Sequence, residues 1–152
     1  MAPAQASLLA KLDTQERVRD FLTNAVASGR ASHAYLFLGA AGAGKLDAAW
    51  AFAQAFLCEQ DGCGACDSCV RVARHTHPDV HYYTPESATG YLIAQTRELL
   101  DDVPLAPIRA KAKVYIIDRA EQLRANTANA LLKTLEEPPE GVMFILLGTS
   151  AD

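Results

Sequence analysis

Positive charge is not in excess in this chain. Its 14 Lys and Arg stand against 18 Asp and Glu, a formal net charge of −4. Gripping nucleic acid by an overall electrostatic field is therefore excluded, although a local basic patch is not. Long hydrophobic runs are missing as well. The most apolar stretch, Ala48 to Leu57, is too short to cross a bilayer. The N-terminus lacks the basic start and unbroken apolar run of a secretory leader. Both absences point to the cytoplasm. There is no internal repeat and no low-complexity tract. Cysteine is absent outside the interval from Cys58 to Cys69, and in a reducing compartment such clustering points to metal before disulfide.

What remains is ordinary for a chain with a real core: 50% hydrophobic and 21% charged residues in 152, the size of one domain. Asp13-Thr14-Gln15-Glu16 reads as a capped helix start, with Val18, Phe21, Leu22, Ala25 and Val26 as a core-facing stripe and Gly29 as the stop. Ala34 to Leu38 is short and bulky enough for a buried strand. The alanine-rich segment through Leu57 is apolar over more than one face, hence a buried helix. Val80 to Tyr83 reads as a second strand, and Ile93 to Val103 as a helix with Thr96, Leu99, Leu100 and Val103 on one side, ended by Pro104. Lys113 to Ile117 is a strand apolar enough to be buried on both faces. A helix from about Ala125 to Glu136 carries Ala128, Leu131, Leu132 and Leu135, and Pro138-Pro139 stops it. Val142 to Leu147 is the fourth strand. Strands alternating with helices imply an α/β fold, a mostly parallel sheet with helices on both faces. The chain stops at a strand end where such folds continue, so a fragment is expected.

Three groups of residues can carry chemistry. Gly39, Gly42 and Gly44 followed by Lys45 lie between a strand and a helix, the order a phosphate loop needs. Backbone amides from Ala40 to Lys45 would hold phosphates there and Lys45 would neutralise the outer ones. A tight turn with no ligand is the alternative. The next position asks for Ser or Thr to meet magnesium, and this chain has Leu46. Asp118, at the carboxyl end of a buried parallel strand, faces the ligand crevice of such sheets and can hold magnesium; capping a turn is the simpler role. The following position would suit a group that activates water, but it is Arg119, which accepts no proton near neutral pH. Both departures strike the hydrolytic reaction rather than the phosphate cradle.

The third group is Cys58-x4-Cys63-x2-Cys66-x2-Cys69. Four thiolates close a tetrahedral shell and leave no open position, which describes a structural zinc. Gly62 and Gly64 supply the bends, and Cys58 is the weakest ligand because it can simply end the preceding helix. His75, His77 and His81 read as structural, since the cysteines already form a complete set.

With loop, cysteines and strand-end aspartate assembled, the chain resembles the N-terminal nucleotide-binding domain of bacterial DNA polymerase III clamp-loader subunits, of the AAA+ class of P-loop proteins. The matching stretches run from His33-Ala-Tyr-Leu-Phe37 through the loop and cysteines to Ala128-Asn-Ala-Leu-Leu-Lys-Thr-Leu-Glu-Glu-Pro-Pro139. The resemblance implies a three-layer AAA+ domain over residues 1–152 with a zinc insertion at about 58–69, and without lid and collar domains. Within the family, hydrolysing gamma/tau subunits carry a hydroxyl after the loop lysine and an Asp-Glu pair at the later strand end. Leu46, Arg119 and the stretch Thr76-His-Pro-Asp79 instead resemble the delta-prime kind.

A delta-prime assignment implies a structural, stator-like component of the DNA polymerase III holoenzyme, itself not a competent ATPase. It would help load the sliding clamp onto primed DNA beside delta and gamma/tau, with no membrane partner. Its arginine finger would lie beyond Asp152. Gln15 to Val18 would lie near an adenine pocket and Thr149 at the sensor position. Zinc is the expected cofactor, with ATP and Mg2+ open. Two other readings stay in view: an active gamma/tau-type ATPase in which Asp47 or a water replaces the hydroxyl, and a nucleic-acid-binding zinc module on an inert scaffold.

Overall fold

The computed structural model describes residues 7–10, 12, 16–29, 32–40 and 44–149. The expected cap at Asp13, together with Thr14, Gln15 and Gly42, lies outside these. In chain order the elements are α1 (Glu16–Ala27), β1 (Ala34–Leu38), α2 (Lys45–Leu57), α3 (Asp67–Ala73), β2 (Val80–Tyr83), α4 (Ile93–Asp102), β3 (Lys113–Ile117), α5 (Ala125–Glu136) and β4 (Val142–Gly148). A 3-10 turn at Ala120–Gln122 precedes α5.

The four strands form one sheet in the order β1-β4-β3-β2, every pair parallel. Parallel strands need crossovers, and here helices supply them on both faces. Strand alternation sorts the core into two clusters. Val114, Ile116, Met143, Ile145 and Leu147 pack against α2, while Tyr115, Ile117, Phe144 and Val142 pack with Leu99 of α4, Val103 just past its end and Leu131 of α5. All five residues of β3 are buried, as expected of a strand covered on both sides. α2 is buried nearly all round, nine of its thirteen residues being inaccessible, which explains its alanine-rich composition. The three-layer α/β architecture expected from the sequence is the one observed.

Three expectations are corrected. β1 is not a buried strand: Leu36 is 59% and Leu38 43% exposed, because among the described residues β1 pairs only with β4 and forms an edge. The stripe of α1 splits. Leu22 is buried, with Ala25 and Val26 against the core, but Phe21 is 61% exposed and Val18 sits at the rim of a groove. In α5, Leu132 faces solvent and Thr127 takes a buried position beside Leu131. Periodicity marks a stripe wider than the contact a neighbour provides, so its outer members stay exposed.

The cysteine segment holds a helix that composition hides. α3 begins right after Cys66, whose sulfur accepts the Cys69 amide in the manner of an N-cap. A buried Gln54 of α2 ties the insertion down. Its amide donates to the Cys69 carbonyl at 3.0 Å, and its oxygen accepts the Leu8 amide at 2.9 Å.

Candidate functional site

The carboxyl ends of β1, β4 and β3 lie side by side at one edge of the sheet. The helix after β1 covers one face, and the helices leading to β3 and β4 cover the other. That divergence opens the crevice in which doubly wound sheets bind ligands. Gly39 ends β1 there, its amide donating to the Gly148 carbonyl at the end of β4. Gly44 enters α2 at φ 87°, a left-handed backbone that favours glycine. Lys45 follows in the first turn of α2, and its ammonium donates to the carbonyls of Gly39 at 2.6 Å and Gly148 at 2.7 Å. The lysine thus spans the two strand ends that frame the loop. A cavity of about 460 Å³ opens beside it, lined by Arg17 and Val18 of α1, Phe37, Gly39, Gly44 and Lys45.

The Lys45 contacts carry a stability consequence of their own. Lys45→Ala removes two charge-assisted hydrogen bonds and is expected to cost about 1–2 kcal/mol. That is ~2–8 °C in Tm for a chain of this size. The loss is expected without any nucleotide, and thermal melts of the nucleotide-free protein measure it; an unchanged Tm would count against the strut.

Asp118 stands at the end of β3, as expected, and both its carboxylate oxygens have partners. The Tyr82 hydroxyl donates to Oδ2 at 3.0 Å and the Arg119 amide to Oδ1 at 2.9 Å. Arg119 itself is in the left-handed region, φ 49°, where the chain turns from β3 into the 3-10 turn. Tyr91 closes the corner, donating its hydroxyl to the carbonyls of Tyr83 and Asp118. Burial first, and then donation to Asp118, push the Tyr82 phenol above its ordinary pKa, so it remains a donor. Leu46 packs against the core, and Thr149 is exposed just past the end of β4. The tyrosines were not expected from the sequence; nothing local marks Tyr82 as more than a strand residue.

The four cysteines come together. Their sulfur atoms lie within 4.8 Å of one another, and Cys58 and Cys66 are 3.9 Å apart. Tetrahedral zinc with bonds of about 2.3 Å needs sulfurs about 3.8 Å apart. Backbone amides aim at the sulfurs: those of Gln60 and Cys63 at Cys58, of Ala65 and Cys66 at Cys63, and of Cys69 at Cys66. Amides directed at sulfur stabilise thiolate, and those of Ala65 and Cys66 lower the Cys63 pKa to about 7. Burial instead raises Cys66 and Cys69. Four thiolates this close need a cation to remain charged together, so the set fits a metal ion. Gly62, at φ 98°, makes the bend; a Cβ there would meet the Ala55 backbone at 3.2 Å. The cysteines are the metal-competent group among the described residues.

The three histidines serve the frame. His75 stacks on Trp50 with ring centroids 3.8 Å apart, and His81 lies 3.3 Å from Asp102 and stacks on Tyr115. His77 is buried, and its Nδ1 accepts the Asp79 amide at 3.0 Å. Burial pushes this imidazole below its ordinary pKa and keeps it neutral, as an acceptor must be. Asp79 itself is fully buried and was overlooked by sequence reasoning. Its carboxylate accepts the consecutive amides of Ile108, Arg109 and Ala110 at 2.6, 2.7 and 2.7 Å. Burial works against that charge, but the three amides outweigh it and hold the carboxyl below its ordinary range.

A family model described as DNA polymerase III, delta subunit, matches residues 14–152. The chain belongs to that family. This places it with the clamp-loader subunits that its motifs resemble. It is 40% identical over 138 residues to DNA polymerase III subunit delta' of Bacillus subtilis, covering 89% of this chain and 42% of the relative. It is 42% identical over 139 residues to subunit tau of Escherichia coli, covering 89% of this chain and 21% of the relative. The DNA polymerase III family member described here therefore spans less than half the length of either relative. Among solved structures, a gamma subunit-related protein from Thermotoga maritima superposes with a TM-score of 0.55 at 20% identity, over 86% of this chain and 38% of that one. That likeness concerns the fold alone.

Proposed function

We propose that this chain is the nucleotide-binding-type domain of a delta-prime-like clamp-loader subunit, a stator with a zinc module and a nucleotide site that does not hydrolyse ATP. One observation carries the reading. Where hydrolysis needs a hydroxyl for magnesium and a group to activate water, the chain has Leu46, half-buried against the core, and Arg119, whose backbone serves Asp118. Losing the base alone costs about a hundred- to ten-thousand-fold in rate. Zinc occupies the Cys58, Cys63, Cys66 and Cys69 set, and Gly39, Gly42, Gly44, Lys45, Asp118 and Thr149 surround the nucleotide. The whole protein works in the bacterial cytoplasm with delta and gamma/tau subunits, and reaches the clamp and primed DNA through that assembly.

The purified chain is expected to show no magnesium-dependent ATP turnover above a Lys45→Ala control. Turnover that Lys45→Ala abolishes would falsify the stator reading and favour the second one, an active gamma/tau-type subunit, which the identity to tau supports. A nucleic-acid-binding zinc module is disfavoured by the net charge of −4. DNA affinity falling steeply with salt would revive it.

A further inference from the structure

Magnesium is the ion that phosphate loops of this kind employ, and the residues here do not fit it. Leu46 offers no oxygen. Asp118 is the remaining strand-end ligand, and its two oxygens are engaged by Tyr82 and by the Arg119 amide. Magnesium binds oxygens at about 2 Å, demands octahedral geometry and gives up its waters reluctantly. On Oδ2 its hydration shell would compete for the space of the Tyr82 hydroxyl. Tyr82 is 38% exposed, and it is the hydrogen bond to Oδ2 rather than enclosure that holds its hydroxyl there. The ring of Trp50, on the helix that starts with Lys45, lies 6.0 Å away, and His75 stacks on that indole from the cysteine insertion. The phosphate-binding features do not depend on any of this. Lys45 and the left-handed Gly44 remain at the crevice, beside a cavity with apolar lining.

We infer that the site takes a nucleoside polyphosphate as the free anion, without a divalent metal, and that Tyr82 is the residue that closes Asp118 to magnesium. The inference rests on the reading of the glycine loop as a phosphate cradle. An entering polyphosphate draws the Lys45 ammonium from the Gly39 and Gly148 carbonyls, exchanging two neutral acceptors for charged ones. No bond is made or broken in the ligand. Tyr82 acts on the metal rather than on the nucleotide, as a specificity-determining side chain.

Calorimetric titration of the purified chain with ADP and with ATP, in magnesium and in EDTA, tests this. Emission of Trp50, the single tryptophan, gives a second readout. Wild-type affinities are expected to agree within about twofold between the two conditions. Tyr82→Phe keeps the ring against Trp50 and frees Oδ2. It is expected to bind about tenfold more tightly in magnesium than in EDTA, roughly the effect of one charge-assisted hydrogen bond. Wild-type binding that requires magnesium overturns the inference, as does a Tyr82→Phe protein that ignores the metal. Absence of any binding to wild type also overturns it, and leaves the non-hydrolytic stator untouched. Magnesium-dependent turnover sinks both.

Discussion

Asp79→Asn is expected to lower the melting temperature by about 6–12 °C while leaving the cysteine cluster able to bind metal. The carboxylate is inaccessible and accepts three amide N–H groups from residues 108–110. An asparagine has the same shape but only one acceptor oxygen. Its NH2 must face at least one of those amides, donor against donor, and the remaining bonds lose their charge assistance. A cost of about 3 kcal/mol follows, and a degree count for a chain of this length converts it to the range given.

The pH dependence has a definite sign. The folded pKa of Asp79 lies below the ordinary aspartate value of 3.8. Its contribution is therefore complete above that unfolded value and disappears as pH falls through the folded one. Wild type should lose stability below about pH 4 more steeply than Asp79→Asn. Denaturation curves at stepped pH measure the two slopes, and parallel curves would remove Asp79 as the cause. The segment it holds also meets the insertion, where Arg109 pairs with Asp67 at 3.0 Å. This is the physical content of the Thr76-His-Pro-Asp79 stretch. His77 orients the aspartate's own amide, and the carboxylate gathers a loop 29 to 31 residues onward.

Cys66→Ser is expected to release the metal and to unfold the insertion, the larger of the two local effects. Wild type should carry one zinc per chain by metal analysis, and the variant close to none. Cys66 is the best residue to remove. Its sulfur caps α3, lies 3.9 Å from Cys58, and belongs to the set that closes the tetrahedron. Structural zinc contributes on the order of 10 kcal/mol to small domains that fold around it. Most of the sheet is expected to survive, because its strands are hydrogen-bonded to one another and not to the cysteine segment. Circular dichroism should keep most of its signal, while amides of 58–74 lose protection from hydrogen exchange. Chelation of wild type should give the same pattern. A metal-free protein with four titratable thiols and full protection would remove the zinc assignment.

Much of this molecule was legible before its structure. The strands at Ala34–Leu38, Val80–Tyr83 and Lys113–Ile117 and the helix at Ala125–Glu136 fall where composition and proline punctuation put them. The convergence of the cysteines followed from spacing, since thiols two residues apart around glycine bends have few ways to avoid one another. What escaped were relations across the chain. The exposure of Phe21, Leu36 and Leu132 depends on whether a neighbouring element arrives to cover them, and periodicity does not carry that information.

The linear order of residues by itself determined the alternation of strand and helix, the glycine loop, the cysteine set and the two residues, Leu46 and Arg119, on which the proposed non-hydrolytic reading rests. These are local matters, decided by the chemistry of side chains within a few positions of one another. Only the tertiary structure decided that Tyr82 meets Asp118 across 36 residues, that Lys45 bridges Gly39 and Gly148, and that Asp79 is the hidden anchor of a distant loop. A hydrogen bond needs its partners within about 3 Å. For residues so far apart in the chain, that proximity is created by the parallel sheet and by nothing in their own neighbourhoods.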